Sequence, residues 1–181
     1  KALKGRRDKM FFGYSWHIKE SRFEEWRSAK KLKQGLDEGM KQAGLDYVDV
    51  WRISLLVDSS LHTEAEVEEA AKALDWAKKT GRARFIGFSS HNRSNLKEII
   101  EKYSEQVEVL LTPYTANSKL VADESGLWAT LRKYDVGWFG IKPFASNSLF
   151  KGDSSPDSPY AQQDNNLARL AIRYILCNPA I

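Results

Sequence analysis

The stretch RARFIGFSSHN, residues 82–92, holds the pattern that decides the fold. It begins with a short run rich in apolar and aromatic residues, which is typical of a buried β-strand. Four residues that pack poorly in a core, Ser89, Ser90, His91 and Asn92, stand directly after that run. The residues that follow have the apolar spacing of an amphipathic helix. The stretch therefore predicts a strand that passes through a short polar loop into a helix.

The same order of strand, loop and helix recurs along the whole chain. The clearest helix is predicted over residues 63–81, where Thr63 and Glu66 form a capping box and Gly81 ends the helix. Gly44 is predicted to end an earlier helix in the same way. Strands are predicted at residues 9–16, 46–53, 83–90, 107–114 and 136–144, and helices at 24–43, 63–81, 92–103, 125–135 and 166–176. Five strands thus alternate with five helices.

The predicted strands lack simple alternation of apolar and polar residues, so both faces of the sheet are expected to be covered. This is typical of a parallel α/β sheet with right-handed crossovers, which brings every strand-to-helix loop to one edge. Ser89, Ser90, His91 and Asn92 are then placed to face a ligand. Their alternative role is structural, since Ser90 or Asn92 is also a good amino-terminal cap for the next helix. The residue types leave both roles open.

Length and composition favour a single folded domain over residues 1–181. The chain is 42% hydrophobic and 29% charged and contains six Trp, which is ordinary for a folded protein. The net charge is only +4, and basic and acidic residues alternate along the chain, so no nucleic-acid partner is expected. We expect no membrane association and a cytoplasmic location, because neither a long apolar run nor a signal-peptide pattern is present.

Two local features complete the residue-level predictions. The single Cys177 excludes an internal disulfide, and its apolar helical surroundings predict a buried thiol in the core. Residues 151–165, rich in Ser, Asp and Pro, are predicted to form a mobile loop. No metal site is predicted.

Four segments, taken in order, resemble the aldo-keto reductases. They are LKQGLDEGMKQAGLDYVDVWRI (32–53), EVEEAAKALDWAKKTGRARFIGFSSHN (66–92), GIKPFASNSLF (140–150) and LARLAIRYILCNPAI (167–181). The resemblance implies a (β/α)8 barrel of the TIM type, of which about five β/α units are present, from the third strand to the seventh helix. Its site would lie at the carboxyl ends of the strands. Five strands cannot close a barrel, so a partner protein or the remainder of a longer chain is expected to complete it.

The resemblance also implies a catalytic tetrad that this sequence carries only in altered form. The Asp and the Tyr of the family would precede Lys1, the Lys falls near Ser15, and the His falls at Ser54. A serine supplies no positive charge and cannot act as an imidazole. Tyr14, His17 and Lys19 stand close enough to the strand end to be considered as substitutes.

Cofactor binding is implied for residues at three strand ends. Ser89 aligns with the serine that contacts the nicotinamide amide, and Ser90 stands where an Asn is usual. Leu111 and Thr115 replace a Gln and an Asn of the family. The donors expected to contact the pyrophosphate are Lys142, Ser146, Asn147 and Ser148. The resemblance implies a nicotinamide cofactor, NADP or NAD. The choice between the two stays open, because the family's pocket for the adenine-side phosphate lies outside these residues.

Three functions follow from these observations. The first is an aldo-keto reductase-type oxidoreductase that transfers hydride between a nicotinamide cofactor and a small aldehyde or ketone. The second is a catalytically silent relative that binds a nucleotide or a protein partner as a regulatory module. The third is an unrelated small-molecule site on the same scaffold, since one barrel hosts many chemistries.

Overall fold

A computed structural model describes residues 5–15, 21–56, 61–116, 126–153, 155–179 and 181. The strands are β1 (Gly13–Tyr14), β2 (Val48–Ser54), β3 (Ala83–Ser89), β4 (Val109–Pro113) and β5 (Gly137–Ile141). The helices are α1 (Ala29–Ala43), α2 (Glu64–Lys79), α3 (Arg93–Lys102), α4 (Leu127–Lys133) and α5 (Ala161–Leu176). Within these residues, no helix is both long enough and apolar enough to cross a membrane.

The five strands form one parallel sheet in the order β1-β2-β3-β4-β5. The described residues form a half barrel, which confirms the predicted partial (β/α)8 fold. Because all strands run in one direction, their carboxyl ends meet at one edge. The register pairs Ser54 at the end of β2 with Ser89 at the end of β3. Two of the predicted site residues are therefore neighbours across the sheet.

The core lies between one face of the sheet and the helices. Ile53, Phe88 and Leu110 on the strands are almost completely buried, as are Leu36 of α1 and Leu74 of α2. This burial is the main stabilising contribution, because each fully buried large apolar side chain adds about 1.5–3 kcal/mol.

The opposite face of the sheet is the one that lines the interior of a complete barrel. In the half barrel, Phe85 of β3 and Phe139 of β5 on this face remain 36% and 44% exposed. The same face carries Val50 and Arg52 of β2, which alternate with the core residues of that strand. Arg52 thus reaches the interior side of the sheet, away from the helices.

The start of α2 and the end of α1 are found where the sequence places them. The Thr63 side chain accepts from the Glu66 amide, and the Glu66 carboxylate accepts from the Thr63 amide, which confirms the capping box. Gly44 adopts a left-handed conformation with φ of 66° after α1, as a C-cap glycine does. Helix α1 begins at Ala29, later than the predicted residue 24, because the Ser28 side chain caps it there.

Two predictions in the carboxyl-terminal part need correction. Cys177 is exposed, because it lies two residues beyond the buried Ile175 and so points to the other side of the helix end. Helix α5 begins at Ala161, so residues 161–165 are helical although the sequence predicted a loop over 151–165. The Asp164 carboxylate on α5 accepts hydrogen bonds from the Lys151 and Gly152 amides. Mobility of the preceding residues stays a prediction.

At the amino-terminal edge of the sheet, the buried Asp49 holds three elements together. Its carboxylate accepts hydrogen bonds from the Phe12 amide (2.7 Å), from Arg84 (2.7 Å) and from Arg7 (2.8 Å). Burial acts to raise the pKa of Asp49, but these hydrogen bonds outweigh it and hold the pKa below its ordinary value. Asp49 therefore belongs to the framework of the sheet and lies far from its carboxyl edge.

Candidate functional site at the carboxyl edge of the sheet

A cleft of about 590 Å³ opens at the carboxyl edge of the sheet. Four serines, four basic residues and four aliphatic residues line it: Ser15, Ser54, Ser89, Ser90, Arg22, Arg52, His91, Lys142, Leu55, Leu56, Leu111 and Ile141. We call this the carboxyl-edge cleft. No acidic side chain is found among the described residues that line it. Its chemical character therefore favours a ligand that carries negative charge and a small apolar part.

Arg52 is the centre of the hydrogen bonding in the cleft. Its guanidinium donates from Nη1 to Ser89 Oγ at 2.8 Å and to Ser54 Oγ at 3.2 Å. Ser89 Oγ in turn donates to Ser54 Oγ at 3.0 Å. The Leu55 amide donates to the Ser89 carbonyl at 2.8 Å, which extends the pairing of the two strands to their ends. The two serines are thus fixed by both the backbone register and a cation.

Ser15 and Ser54 stand at the positions implied for the Lys and the His of the catalytic tetrad, and both line the cleft. Ser15 directly follows β1, and Ser54 is the last residue of β2. The Ser54 carbonyl also accepts a hydrogen bond from the buried Ser21 hydroxyl. A guanidinium therefore reaches this place from within β2, although neither serine supplies a charge.

Of the residues considered as substitutes, Tyr14 is described by the structure and is not among the residues that line the cleft. Tyr14 packs against the core cluster, and burial raises its pKa to about 12, which makes it a poor proton donor. His17 and Lys19 lie outside the described residues. His62 is buried, and its Nε2 accepts a hydrogen bond from the Leu56 amide at 3.1 Å.

The pKa of His62 is lowered by burial and by the charge of Arg27, so the neutral ring that this bond requires is favoured. His62 lines a different cavity, next to α2 and α3. It is therefore a structural histidine of this loop.

The polar loop after β3 caps the next helix and also lines the cleft. The Asn92 side chain caps α3 by accepting from the Asn95 amide at 3.0 Å. Ser90 lines the cleft, and its hydroxyl donates to the Leu56 carbonyl while accepting from the Asn92 amide. His91 also lines the cleft. One loop thus starts the helix and supplies a wall of the site.

The electrostatics of the cleft are visible at His91. Its pKa is lowered by partial burial and, in addition, by the positive charge of Lys142. These two basic side chains come from the loops after β3 and β5, and they face the same space. The neutral form of His91 is therefore favoured at neutral pH.

Of the four predicted pyrophosphate donors, one lines the cleft and three do not. Lys142, with a φ of 57°, lines the cleft directly after β5. Ser146, Asn147 and Ser148 are exposed in a turn in which the first two have positive φ, and they are not among the lining residues. The Ser148 hydroxyl donates to the Ala145 carbonyl at 2.8 Å.

Sequence reasoning missed Arg52 and Arg22. The signal for Arg52 was present as a charged residue inside the otherwise apolar strand DVWRIS (49–54), two residues before the strand end. A charge in a buried strand needs a partner or a solvent-filled space, which marks it as a candidate for the site. Leu111, aligned with a family Gln, does line the cleft, whereas Thr115 is not among the lining residues.

A parallel half barrel with a basic, hydroxyl-rich cleft at its carboxyl edge defines a protein of the β/α-barrel type, the architecture in which ligand sites lie at the strand ends. A family model described as "Aldo/keto reductase family" matches residues 2–180. The chain belongs to the aldo/keto reductase family.

Similar proteins agree with this assignment. L-glyceraldehyde 3-phosphate reductase of Escherichia coli K12 is 33% identical over 124 residues, which are 67% of this chain and 34% of that protein. The holo form of an aldo-keto reductase from Bacillus halodurans superposes with a TM-score of 0.68 at 17% identity, covering 99% of this chain and 63% of that one. The Bombyx mori aldo-keto reductase in complex with NADP gives 0.64 at 18% identity, covering 97% and 59%. The chain thus spans about a third of its curated relative and about three fifths of these solved structures.

Proposed function

We propose that the carboxyl-edge cleft binds a nicotinamide dinucleotide, NADP or NAD, and a small aldehyde or ketone, as part of an aldo-keto reductase-type oxidoreductase. The observation that carries this proposal is that Ser54, Ser89 and Lys142, from three different strand ends, line one cleft. Family membership adds a second line of support. When bound, the reduced nicotinamide would supply a hydride to the carbonyl carbon.

The donor set of the cleft fits such a cofactor. The Ser89 hydroxyl is buried and held by Arg52, so it presents a fixed polar group to a carboxamide. Lys142 supplies a charge suited to a phosphate oxygen. Leu55 and Leu111 offer an apolar surface for a flat ring. A cofactor would contact the exposed turn of Ser146, Asn147 and Ser148 only if it extended beyond the cleft.

The catalytically silent relative is the second candidate, and a specific observation favours it. Both positions at which the family carries a charged or titratable tetrad residue are serine here, namely Ser15 and Ser54. Such a cleft keeps its capacity to bind an anionic ligand, because that capacity comes from Arg52, Arg22 and Lys142. It lacks the groups that in the family ease proton transfer.

The test separates binding from turnover. NADPH is titrated into the protein and followed by fluorescence, and its oxidation is then measured with a panel of aldehydes and ketones. The panel includes glyceraldehyde 3-phosphate, because a relative carries that name and because a basic cleft suits a phosphorylated substrate. Binding with turnover supports the reductase, binding without turnover supports the silent relative, and absence of binding overturns both.

A matched pair of variants locates the binding site. Lys142→Met removes a charge from the cleft, whereas Lys30→Met removes the same charge from the exposed side of α1. We expect the first variant to weaken NADPH binding by about tenfold, the loss typical of one charge-assisted hydrogen bond. The second variant is expected to bind like the unmodified protein. Equal affinities for the two variants would place the cofactor elsewhere.

A further inference from the structure

We propose that His62 is a positioning residue of the carboxyl-edge cleft: its neutral ring holds one wall of the cleft in place, and a proton added to the ring releases that wall. The wall consists of Leu56 and Ser90, which both line the cleft, whereas His62 is not among the lining residues. His62 therefore acts on a ligand only through these two residues. The inference deepens the proposed function, which supplies the ligand, but the contacts that carry it are those of the protein alone.

Leu56 lies at the point where the sheet stops supplying hydrogen-bond partners. The pairing of β2 with β3 extends just past the strand ends, where the Leu55 amide donates to the Ser89 carbonyl at 2.8 Å. The next amide, that of Leu56, donates to His62 Nε2 at 3.1 Å. Because a backbone amide that is withdrawn from water needs an acceptor, the histidine ring takes the place of a further strand residue.

The carbonyl of Leu56 is held from the other side by the loop after β3. It accepts from the Ser90 hydroxyl at 3.2 Å, and Ser90 Oγ accepts from the Asn92 amide at 3.1 Å. The donor in each of these bonds is fixed by chemistry, because a backbone amide only donates and a backbone carbonyl only accepts. A series of hydrogen bonds thus runs from the cap of α3 through Ser90 and Leu56 to His62. Loss of the last acceptor is expected to loosen Leu56 and the Ser90 hydroxyl together.

The bond from Leu56 requires a neutral ring, and the surroundings of His62 favour one. Nε2 accepts only when it carries no proton, so an imidazolium would set two N–H groups against each other. Burial and then the positive charge of Arg27 lower the pKa of His62, while Glu66 acts less strongly in the opposite direction. The charged and titratable groups that face His62 come from three elements: Arg27 before α1, Glu64 and Glu66 on α2, and Glu98, Lys102 and Tyr103 on α3 and its end.

Acid is expected to release the wall over a defined pH range. When the wall is open and the ring is in water, His62 titrates near its ordinary value of 6.5, whereas in the closed form it takes up a proton only at lower pH. Between these two values the open form binds a proton that the closed form does not bind. The open fraction therefore grows by up to about tenfold per pH unit as the pH falls below 6.5, until the closed-state pKa is reached.

Hydrogen exchange of the Leu56 amide, corrected for its intrinsic rate at each pH, measures this opening. We expect the opening constant to rise about fivefold from pH 7 to pH 5.5 in the unmodified protein. His62→Gln keeps an acceptor oxygen and cannot gain a proton, so it should retain the protection of Leu56 and lose the pH dependence. His62→Leu removes the acceptor and should raise the opening constant about tenfold at both pH values. The control His91→Gln replaces a histidine that lines the cleft and should keep the pH dependence.

A second measurement distinguishes positioning of the cleft wall from a merely local contact. In the His91→Gln protein, the NMR signals of the Ser90 and Asn92 amides should shift with the same midpoint as the His62 ring, and additional replacement of His62 by Gln should abolish this shift. Ser90 and Asn92 signals that do not follow the ring would overturn the inference. So would Leu56 exchange that does not depend on pH, or that depends on pH equally in His62→Gln.

The conservative His62→Gln variant keeps the test decisive should His62→Leu lower the urea midpoint. The outcome is also separable from that of the proposed function. Failure of NADPH to bind to a protein that shows these pH effects would overturn only the proposed function. Normal NADPH binding in their absence would overturn this inference alone.

Discussion

Replacement of the buried carboxylate of Asp49 by the amide in Asp49→Asn should destabilise the fold by about 2–4 kcal/mol at pH 7. Three donors converge on this side chain, which is only 1% exposed. Each hydrogen bond to a charged group contributes about 1.5–3 kcal/mol. Arg84 is 57% exposed and regains water when its partner is lost, so its bond contributes least. The Phe12 amide can still donate to the neutral side-chain oxygen of the variant. Arg7 is only 18% exposed, so it loses its ion pair with little compensation from water.

The difference in unfolding free energy between the unmodified protein and Asp49→Asn should depend on pH, and this dependence tests the electrostatic argument. The pKa of Asp49 is lowered in the folded state, so its ionised form contributes stability above the unfolded-state value near 3.8. This contribution is lost as the pH falls through the lower, folded-state pKa. Below that point the protonated carboxyl resembles the amide of the variant. The free-energy difference between the two proteins should therefore be constant from pH 7 to about pH 5 and shrink at more acidic pH.

Urea unfolding followed by tryptophan fluorescence measures this difference, and the neighbouring buried Trp51 provides a local reporter. The matched control is Asp75→Asn, which removes a carboxylate that pairs with Lys79 on the surface of α2. Its effect should stay below about 0.5 kcal/mol. A loss for Asp49→Asn as small as that of the control would refute the reasoning. So would a loss that does not shrink in acid.

Three further predictions concern single side chains. Gly87→Ala should destabilise the protein by about 3 kcal/mol in urea unfolding, because its Cβ would collide with a carbonyl oxygen of β4. Gly137→Ala, whose Cβ would have ordinary contacts from 3.6 Å, should be tolerated, and equal losses would contradict the argument. Thr63→Ala should lower the free energy of unfolding in urea by about 1 kcal/mol through the lost helix cap, and NADPH affinity should not change. Lys142→Met should raise the pKa of His91 in an NMR titration, since the Lys142 charge helps to lower it; an unchanged pKa would separate the two side chains.

The order of elements could be predicted from sequence because its signals are local. The capping box of α2 and the left-handed Gly44 are decided by a few adjacent residues, and both were predicted correctly. Burial of Cys177 was predicted wrongly, because the face of a helix end depends on where the last turn meets the core. Strand β1 begins at Gly13, although the predicted strand begins at residue 9, because the Asp49 carboxylate accepts from the Phe12 amide.

For the site, the sequence predicted which edge of the sheet carries it but not which side chains meet there. Parallel strands place Ser54, Ser89 and Lys142 at one edge whatever their exact register. The role of Arg52 required more, since its contact with Ser89 on the neighbouring strand depends on strand register. No local pattern in DVWRIS (49–54) encodes which residue stands beside Arg52.

The two ends of β2 carry separate side-chain contacts, one set at the amino-terminal edge and one in the cleft. Asp49 fixes β1 by accepting from the Phe12 amide, and Ser15 enters the cleft three residues later on the same segment. At the other end of β2, Arg52 joins the strand to Ser89. Backbone pairing of Gly13 with Val50 and of Tyr14 with Trp51 keeps β1 on the sheet without the Asp49 carboxylate, and Ser54 stays paired with Ser89. Asp49 therefore contributes to stability at the amino-terminal edge, while the strand register places the residues of the cleft.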